Sequence, residues 1–230
     1  MRIDAHHEFS PRHTPEKLRA ILERNRFDGS VAVVGQGIDL PTSFVLRDNL
    51  TDPAFARRLD EFQRDPRFRG ICAPPSGEAG LAELARRGLP LDVEVDPPGL
   101  PQVARMAGRF PELRVAIDHL GRPRIGNGFD EEWARALEQA AQAPQVYAKL
   151  SGLITRMPPP WKAADLRPYV QHALAVFGPR RLMFGSDWPA CLAAGSWKET
   201  LAAVTQSLGP LPMEAREELL GGTARRFYAL

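Results

Sequence analysis

The chain has 230 residues, of which 43% are hydrophobic and 25% are charged, a composition typical of globular proteins. Its formal net charge is only +2, which argues against nucleic acid or a membrane surface as a partner. No apolar run approaches the ~20 residues of a transmembrane helix, and the first residues lack the apolar core of a signal peptide. We therefore expect a cytoplasmic protein in which Cys72 and Cys191 are reduced thiols.

The first half of the chain predicts three strands and two helices. The strands are expected at residues 2–9, 30–34 and 43–46, and the helices at 14–26 and 51–64. Thr14 and Thr51 are the expected helix caps. Residues 36–42, between the second and third strands, contain Gly and Pro and leave no room for a connecting helix.

The second half alternates regularly between strands and helices. Strands are expected at residues 70–73, 89–95, 113–120, 145–152 and 181–186. Helices are expected at residues 78–87, 101–109, 130–142 with Asp130 as its cap, 164–176, 196–207 and 212–227. About eight strands with crossover helices predict one domain over residues 1–230, a distorted (β/α)8 barrel of the TIM type shortened between strands two and three. An open doubly wound sheet is the alternative, but its glycine-rich phosphate loop is missing.

Ionisable residues occur where three predicted strands end. Asp187 follows the apolar run Leu182–Phe184, His6 and Glu8 end the first strand, and His119 ends the sixth. The carboxyl ends of barrel strands carry the chemistry of this fold, so these four side chains are expected to converge at one opening. Two imidazoles and two carboxylates suit a divalent ion such as zinc.

Alternation along a strand assigns the neighbouring side chains to the opposite face. His7 is therefore expected outside the barrel, and Asp118 is expected to point away from the axis as a structural partner. Lys149, inside an apolar run, either extends to solvent along its stem or pairs with an acid. Asp187 could instead have a structural role as an acid that caps a loop. His119 could likewise be a core histidine that is hydrogen-bonded to the backbone.

Six segments resemble the amidohydrolase superfamily, and within it the amidohydrolase-related group of sugar-lactone and pyrone-dicarboxylate lactonases. They are Ile3–His6, Leu89–Val93, Ile117–Pro123, Tyr147–Gly152, Phe184–Pro189 and Gly221–Tyr228. The resemblance implies a distorted barrel and hydrolysis of a cyclic ester by water that Asp187 activates. It implies a divalent metal as cofactor in some members and none in others. Two positions depart from the family pattern: Glu8 replaces the second His of His-x-His, and the fourth strand lacks an Arg.

The sequence thus predicts a hydrolase that acts on a small, polar cyclic ester. A sugar-acid lactone is the favoured substrate class. Asp187 is the expected general base, and His119 and His6 polarise the carbonyl directly or through a metal held by His6, Glu8, His119 and Asp187. The predicted substrate-binding residues are Trp188, Ser151 and Arg122. A decarboxylase or amide hydrolase is one alternative, with Arg122, Arg124 and Arg156 as candidate carboxylate clamps, and a barrel that binds a small molecule without turnover is another. A homo-oligomer is left open by the short connection after the second strand.

Overall fold

Eight strands form one parallel sheet in chain order in the computed structural model, which describes residues 1–35, 42–126 and 128–230. The strands are β1 (Ile3–His7), β2 (Gly29–Val34), β3 (Ser43–Arg47), β4 (Phe68–Cys72), β5 (Leu91–Val93), β6 (Val115–Ile117), β7 (Val146–Leu150) and β8 (Leu182–Phe184). A parallel bridge between His7 and Trp188 joins the two ends of the sheet. The predicted (β/α)8 barrel is confirmed, and the edges that an open sheet would expose are joined.

Helices follow most of the strands and cover the outside of the barrel. They are α1 (Pro15–Arg24), α2 (Phe55–Phe62), α3 (Glu78–Arg87), α4 (Leu100–Arg109), α5 (Glu131–Ala141), α6 (Ala163–Phe177), α7 (Trp197–Leu208), α8 (Met213–Glu217) and α9 (Thr223–Tyr228). Among the described residues, no helix combines the length and the apolar character needed to span a bilayer.

Of the three predicted helix caps, one forms the expected side-chain hydrogen bond. Asp130 caps α5, because its carboxylate accepts a hydrogen bond from Trp133 N at 3.1 Å. Thr14 is in the cap position of α1 but makes no side-chain cap bond. The Thr51 cap is wrong, since α2 begins at Phe55 and the Thr51 hydroxyl instead bonds to Asn49.

The predicted helix 212–227 is also wrong, because it is two helices. A π-helical turn over residues 218–222 separates α8 from α9. A side chain at Gly221 would collide with the backbone of Met1 to Ile3, so the turn needs glycine where it packs under the first strand.

The sheet separates two apolar clusters. Outward-facing residues such as Val115, Ile117 and Leu150 pack against the helices in the larger cluster, whereas the smaller one, with Ala5 and Val31, fills the interior. This division follows the alternation of side chains along each strand, and it shows which residues face the axis.

The connection between β2 and β3 was predicted to lack a helix. Most of it, residues 36–41, lies outside the described residues. The two strands pair directly in parallel from Val31–Ser43 to Val34–Leu46.

Candidate active site

A cavity of about 260 Å³ opens at the carboxyl ends of the strands. It is lined by Glu8, Arg47, Glu94, His119, Arg122, Gly152, Thr155, Arg156, Asp187, Trp188, Pro189 and Ala190. In a TIM barrel this end carries the catalytic groups. Five of the residues proposed for the site from the sequence line the cavity, and His6 lies just beneath it, against Asp187 and His119.

His6 reaches the axis because β1 is irregular. Ile3 and Ala5 belong to the interior cluster, so strict alternation would turn His6 outward. The pairing register with β2 shifts between Asp4 and His7, and this bulge re-aims the ring inward. His6 is fully buried, and its ring centroid lies 4.5 Å from that of His119.

Asp4, on the same strand, ties β1 to the segment after β8. It accepts hydrogen bonds from Ser186 N and Trp197 Nε1, each at 2.8 Å. Burial raises the pKa of Asp4 despite these bonds. Sequence reasoning gave Asp4 no part in the site.

His119 and Asp118 follow β6 in a tight helical turn, and here one prediction is wrong. Asp118 faces the axis, in line with Ala116, and not away from it. His119 does not belong to the strand, which ends at Ile117. Its left-handed backbone, with φ of 55°, folds the ring back over the mouth. Both side chains therefore face the site, because alternation ends where the strand ends.

Asp187 also has a left-handed backbone, with φ of 56°. Its amide donates a hydrogen bond to His6 O at 2.9 Å, which fixes the loop after β8 against β1. A non-glycine residue in this region carries strain that recurs at functional sites. Burial raises the pKa of Asp187 to about 6, with His6 opposing the shift. A carboxylate with a raised pKa is well placed to exchange a proton near neutral pH.

Gly152, at the end of β7, gives the two groups room. A Cβ atom there would lie 2.5 Å from His119 Nδ1 and 3.0 Å from Asp187 Oδ2. Its φ of 62° also favours glycine. Any other residue would push apart the imidazole and the carboxylate.

His6, His119 and Asp187 each offer a ligand atom, and these atoms lie within 4.8 Å of one another. His6 Nε2 is buried, has no hydrogen-bond partner among the described residues, and lies 3.9 Å from Asp187 Oδ1. An orphaned imidazole nitrogen beside a carboxylate and a second imidazole fits a divalent metal, and three protein ligands leave a position for water. His6, Glu94 and Asp118 form a second such group, but both of its acids are already paired with cations.

Glu8 does not join this cluster in the structure. It lies at the rim and pairs with Arg47, the residue that ends β3. Arg47 Nη2 also lies 2.6 Å from Glu94 Oε1, and Arg122 Nη2 lies 2.9 Å from Glu94 Oε2. We call Glu8, Arg47, Glu94 and Arg122 the mouth ring. Its geometry favours Glu8 as a partner of arginine over Glu8 as a metal ligand.

Arg47 and Glu94 were missed from the sequence, although alternation points to both. Val45 and Asp92 face the interior, and the residues two positions further on emerge at the mouth. The fourth strand, predicted over residues 70–73 without an arginine, begins earlier in the structure and contains Arg69. The arginine at the mouth comes from the neighbouring strand β3, as Arg47.

A layer of charge lies beneath the site. Lys149 Nζ is 2.6 Å from Asp92 Oδ2 and 2.8 Å from Asp118 Oδ1, and all three side chains are fully buried. The hydroxyl of Tyr228, from α9, lies 2.8 Å from both oxygens of Asp92. Of the two alternatives for Lys149, pairing with an acid is the one observed. We call Asp92, Asp118, Lys149 and Tyr228 the buried charge layer.

This layer connects to His6. His6 Nδ1 lies 3.5 Å from Asp118 Oδ2 and 3.4 Å from Lys149 Nζ. Burial alone would raise the pKa of Asp118, but the charges of Lys149 and His6 outweigh it and lower that pKa. Asp118 therefore remains ionised beneath the imidazole and can orient it, as carboxylates do behind metal-bound histidines.

The other predicted residues divide between the cavity wall and its support. Trp188 walls the cavity and packs edge-on against His13, at 5.3 Å between ring centroids. Ser151 is fully buried beneath the wall, with Oγ 3.0 Å from His119 Nδ1, so it orients the imidazole. Of the candidate carboxylate clamps, Arg122 and Arg156 line the cavity. Arg124 instead pairs with Asp130, the cap of α5.

His7 is buried away from the candidate site. Its ring packs edge-on against Phe9 at 4.8 Å, and neither ring nitrogen has a hydrogen-bond partner among the described residues. Burial lowers the pKa of His7 to about 3, so the ring is neutral and serves packing.

The structure is thus a TIM-type barrel with two imidazoles and an acid at its mouth, which form a candidate divalent-metal centre. A family model described as amidohydrolase matches residues 10–230. The chain therefore belongs to the amidohydrolase family of that model, as the six segments predicted.

Two relatives that are similar along most of the chain are named lactonases. An L-fucono-1,5-lactonase of Burkholderia ambifaria is 31% identical over 94% of this chain and 77% of its own length. One of Burkholderia multivorans is 32% identical over 95% of this chain and 86% of its own length. An amidohydrolase from Burkholderia multivorans, solved with bound zinc, has a TM-score of 0.89 and is 30% identical, with 100% of this chain and 99% of that chain covered. Two decarboxylases, at 14% and 9% identity, share the fold alone.

Proposed function

We propose that this protein hydrolyses the lactone of a sugar acid, with Asp187 as the general base. The observation that carries the proposal is the convergence of His6, His119 and Asp187 within 4.8 Å at the mouth of the barrel. The names of the two Burkholderia lactonases support the substrate class. The cavity of about 260 Å³ has room for one small ring.

The reaction needs one proton acceptor that later returns the proton. Asp187 takes a proton from water as the water oxygen bonds to the lactone carbonyl carbon. The ring C–O bond then breaks, and the departing alkoxide receives the proton from Asp187. The products are a free hydroxyl group and the carboxylic acid of the opened sugar.

The carbonyl oxygen gains negative charge in the transition state and must be stabilised. His6 and His119 lie beside Asp187 and can direct their ring nitrogens to that oxygen or to a shared metal. We propose zinc as the metal, held by His6, His119 and Asp187, in keeping with the zinc-bound amidohydrolase. When bound, zinc would supply Lewis acidity and lower the pKa of water.

A decarboxylase would need an arginine ready to hold a substrate carboxylate. Arg47 and Arg122 already face carboxylates of the protein, which favours the lactonase. Arg156 also lines the cavity, but it would have to bind a substrate carboxylate without help from the other two arginines there.

The test is turnover of a panel of sugar-acid lactones by wild type and by Asp187→Asn. Loss of the general base should lower kcat by about 10²–10⁴-fold. Asp60→Asn is the matched control, because Asp60 is exposed and pairs with Arg87 on the outside of the barrel. Equal turnover by Asp187→Asn and wild type would remove this mechanism. Metal content of the purified proteins, measured in parallel, tests the zinc assignment separately.

A further inference from the structure

The mouth ring shares one carboxylate between two arginines. Glu94 presents Oε1 to Arg47 at 2.6 Å and Oε2 to Arg122 at 2.9 Å. Arg47 also contacts Glu8, and Arg122 Nη1 lies 3.6 Å from Asp96. Both guanidinium groups are therefore already engaged by acids of the protein.

The cavity lining as a whole balances its charge. It contains three arginines and three carboxylates, which are Arg47, Arg122, Arg156, Glu8, Glu94 and Asp187. A wall of alternating donors and acceptors suits a ligand whose hydroxyl groups both donate and accept hydrogen bonds.

A ligand with its own carboxylate would meet a different situation. To reach Arg47 or Arg122 it would have to displace Glu94, whose side chain is only 20% exposed. Displaced, Glu94 would be a half-buried charge without its partners, next to a second negative charge. Like charges brought together at a binding site lower affinity by a large factor.

We propose that Glu94, together with Glu8, determines the charge preference of the cavity: these acids occupy Arg47 and Arg122, so the cavity selects uncharged, hydroxyl-rich lactones over lactones bearing an additional carboxylate or sulfonate. This inference rests on the proposed lactonase function and names the substrate subclass and the residues that select it. A pocket built for an acidic lactone would leave its arginines available, because a guanidinium binds a carboxylate through two parallel hydrogen bonds.

A matched pair of substrates tests the preference. The γ-lactones of gluconic and glucaric acid share one ring and differ in a terminal hydroxymethyl group against a carboxylate. For wild type, kcat/KM should favour the gluconolactone by about tenfold or more. Equal or better turnover of the glucarolactone would overturn the proposal.

Variants then assign the preference to the ring. Glu94→Gln keeps the size of the side chain but frees both arginines from its charge, so the preference should fall by about tenfold, and Glu8→Gln should act more weakly at the exposed rim. Adding Arg47→Gln to Glu94→Gln should reduce the gain for the glucarolactone, because only Arg122 is then left free of Glu94. Glu78→Gln is the matched control and should keep the wild-type ratio, because it breaks an exposed pair between Glu78 on α3 and Arg109 on α4.

Two further measurements keep the outcomes separate. Metal content of each variant is determined, because Glu94 also belongs to the second group of metal-ligand atoms. Calorimetric binding of the corresponding uncharged and carboxylated lactams tests the preference without turnover. If neither lactone is hydrolysed, the full lactone panel decides the proposed function, and the lactams still decide the charge preference: tighter binding of the uncharged lactam supports it, and equal or weaker binding contradicts it.

Discussion

The mouth ring and the buried charge layer contain the same kinds of groups at different depths of one barrel. In the mouth ring, Arg47 and Glu8 have side chains that are 39% and 46% exposed. In the buried charge layer, Lys149 and Asp92 are completely enclosed. Water can replace a lost partner at the mouth but not inside the barrel.

The depth of a charged side chain in the barrel therefore determines whether it can be substituted without a large loss of stability. Removing one partner of a buried ion pair costs several kcal/mol of folding free energy. The buried charge layer is therefore suited to holding His6 in a fixed position. Charges in the mouth ring are partly solvated, so removing one of them should cost the fold little, which suits groups that serve ligand recognition. The predictions below test this division by comparing changes made at the two depths.

The largest effect is expected for Lys149→Met in the buried charge layer. The substitution leaves Asp92 and Asp118 without their shared cation and should lower the free energy of unfolding by about 3–5 kcal/mol. Arg47→Met removes a cation from the mouth ring and should cost less than about 1 kcal/mol. Urea unfolding of both variants at neutral pH measures the difference. Similar small losses for the two would show that depth does not govern these charges.

Tyr228→Phe tests the same layer with a smaller change. It removes the hydroxyl that donates to Asp92 and leaves an enclosed carboxylate with fewer donors, a loss of about 1.5–3 kcal/mol. Tyr169→Phe is the control, since that hydroxyl donates to the backbone carbonyls of Arg124 and Gly128 and should cost about 0.5–1.5 kcal/mol. A smaller loss for Tyr228→Phe than for the control would contradict the special cost of the buried charges.

Much of this architecture could be predicted from the sequence, because apolar runs and caps are local signals. The eight strands, the Asp130 cap and the strand ends at His6 and Asp187 were visible in this way. Asp118 was misplaced because His119 was assumed to alternate along a strand that had already ended.

Alternation along β3 and β5 could place Arg47 and Glu94 individually at the barrel mouth, but it could not show that they form an ion pair. Arg47 and Glu94 lie 47 residues apart along the chain and meet only because β3 to β5 are neighbours in the barrel. The bulge at His6 likewise depends on the pairing of β1 with β2. Pairing between strands that are separated in the sequence, which no local pattern specifies, brings these groups together.

Asp187 lies between the mouth ring and the buried charge layer. Its raised pKa predicts a pH dependence of protein stability that can be measured. In metal-free protein the folded state holds the pKa near 6, above the ordinary value of 3.8. The folded state therefore disfavours the ionised form, so stability is lost as the pH rises from about 4 to about 6. Asp187→Asn avoids this loss and should be more stable than wild type by about 1–3 kcal/mol at pH 7.

The same gain should vanish below about pH 4, where the carboxyl is protonated in both states. Chemical denaturation of chelator-treated proteins across this pH range measures it. A constant difference between the two proteins, or a gain confined to acid pH, would show that burial does not raise the pKa of Asp187. A gain in stability with a loss of turnover would mark Asp187 as a residue kept for function at a cost to the fold.

The smallest effect is expected for the stability of Glu94→Gln, the substitution expected to alter substrate preference. Because Arg47 and Arg122 are partly exposed, water replaces much of the lost attraction, and the free energy of unfolding should change by less than about 1 kcal/mol. At about 1 M salt, where the screening length is about 3 Å, the change should shrink further. A loss of several kcal/mol that persists in salt would place Glu94 with the buried charges. The mouth ring would then be a structural element, and its acids would owe their positions to the fold and not to the substrate.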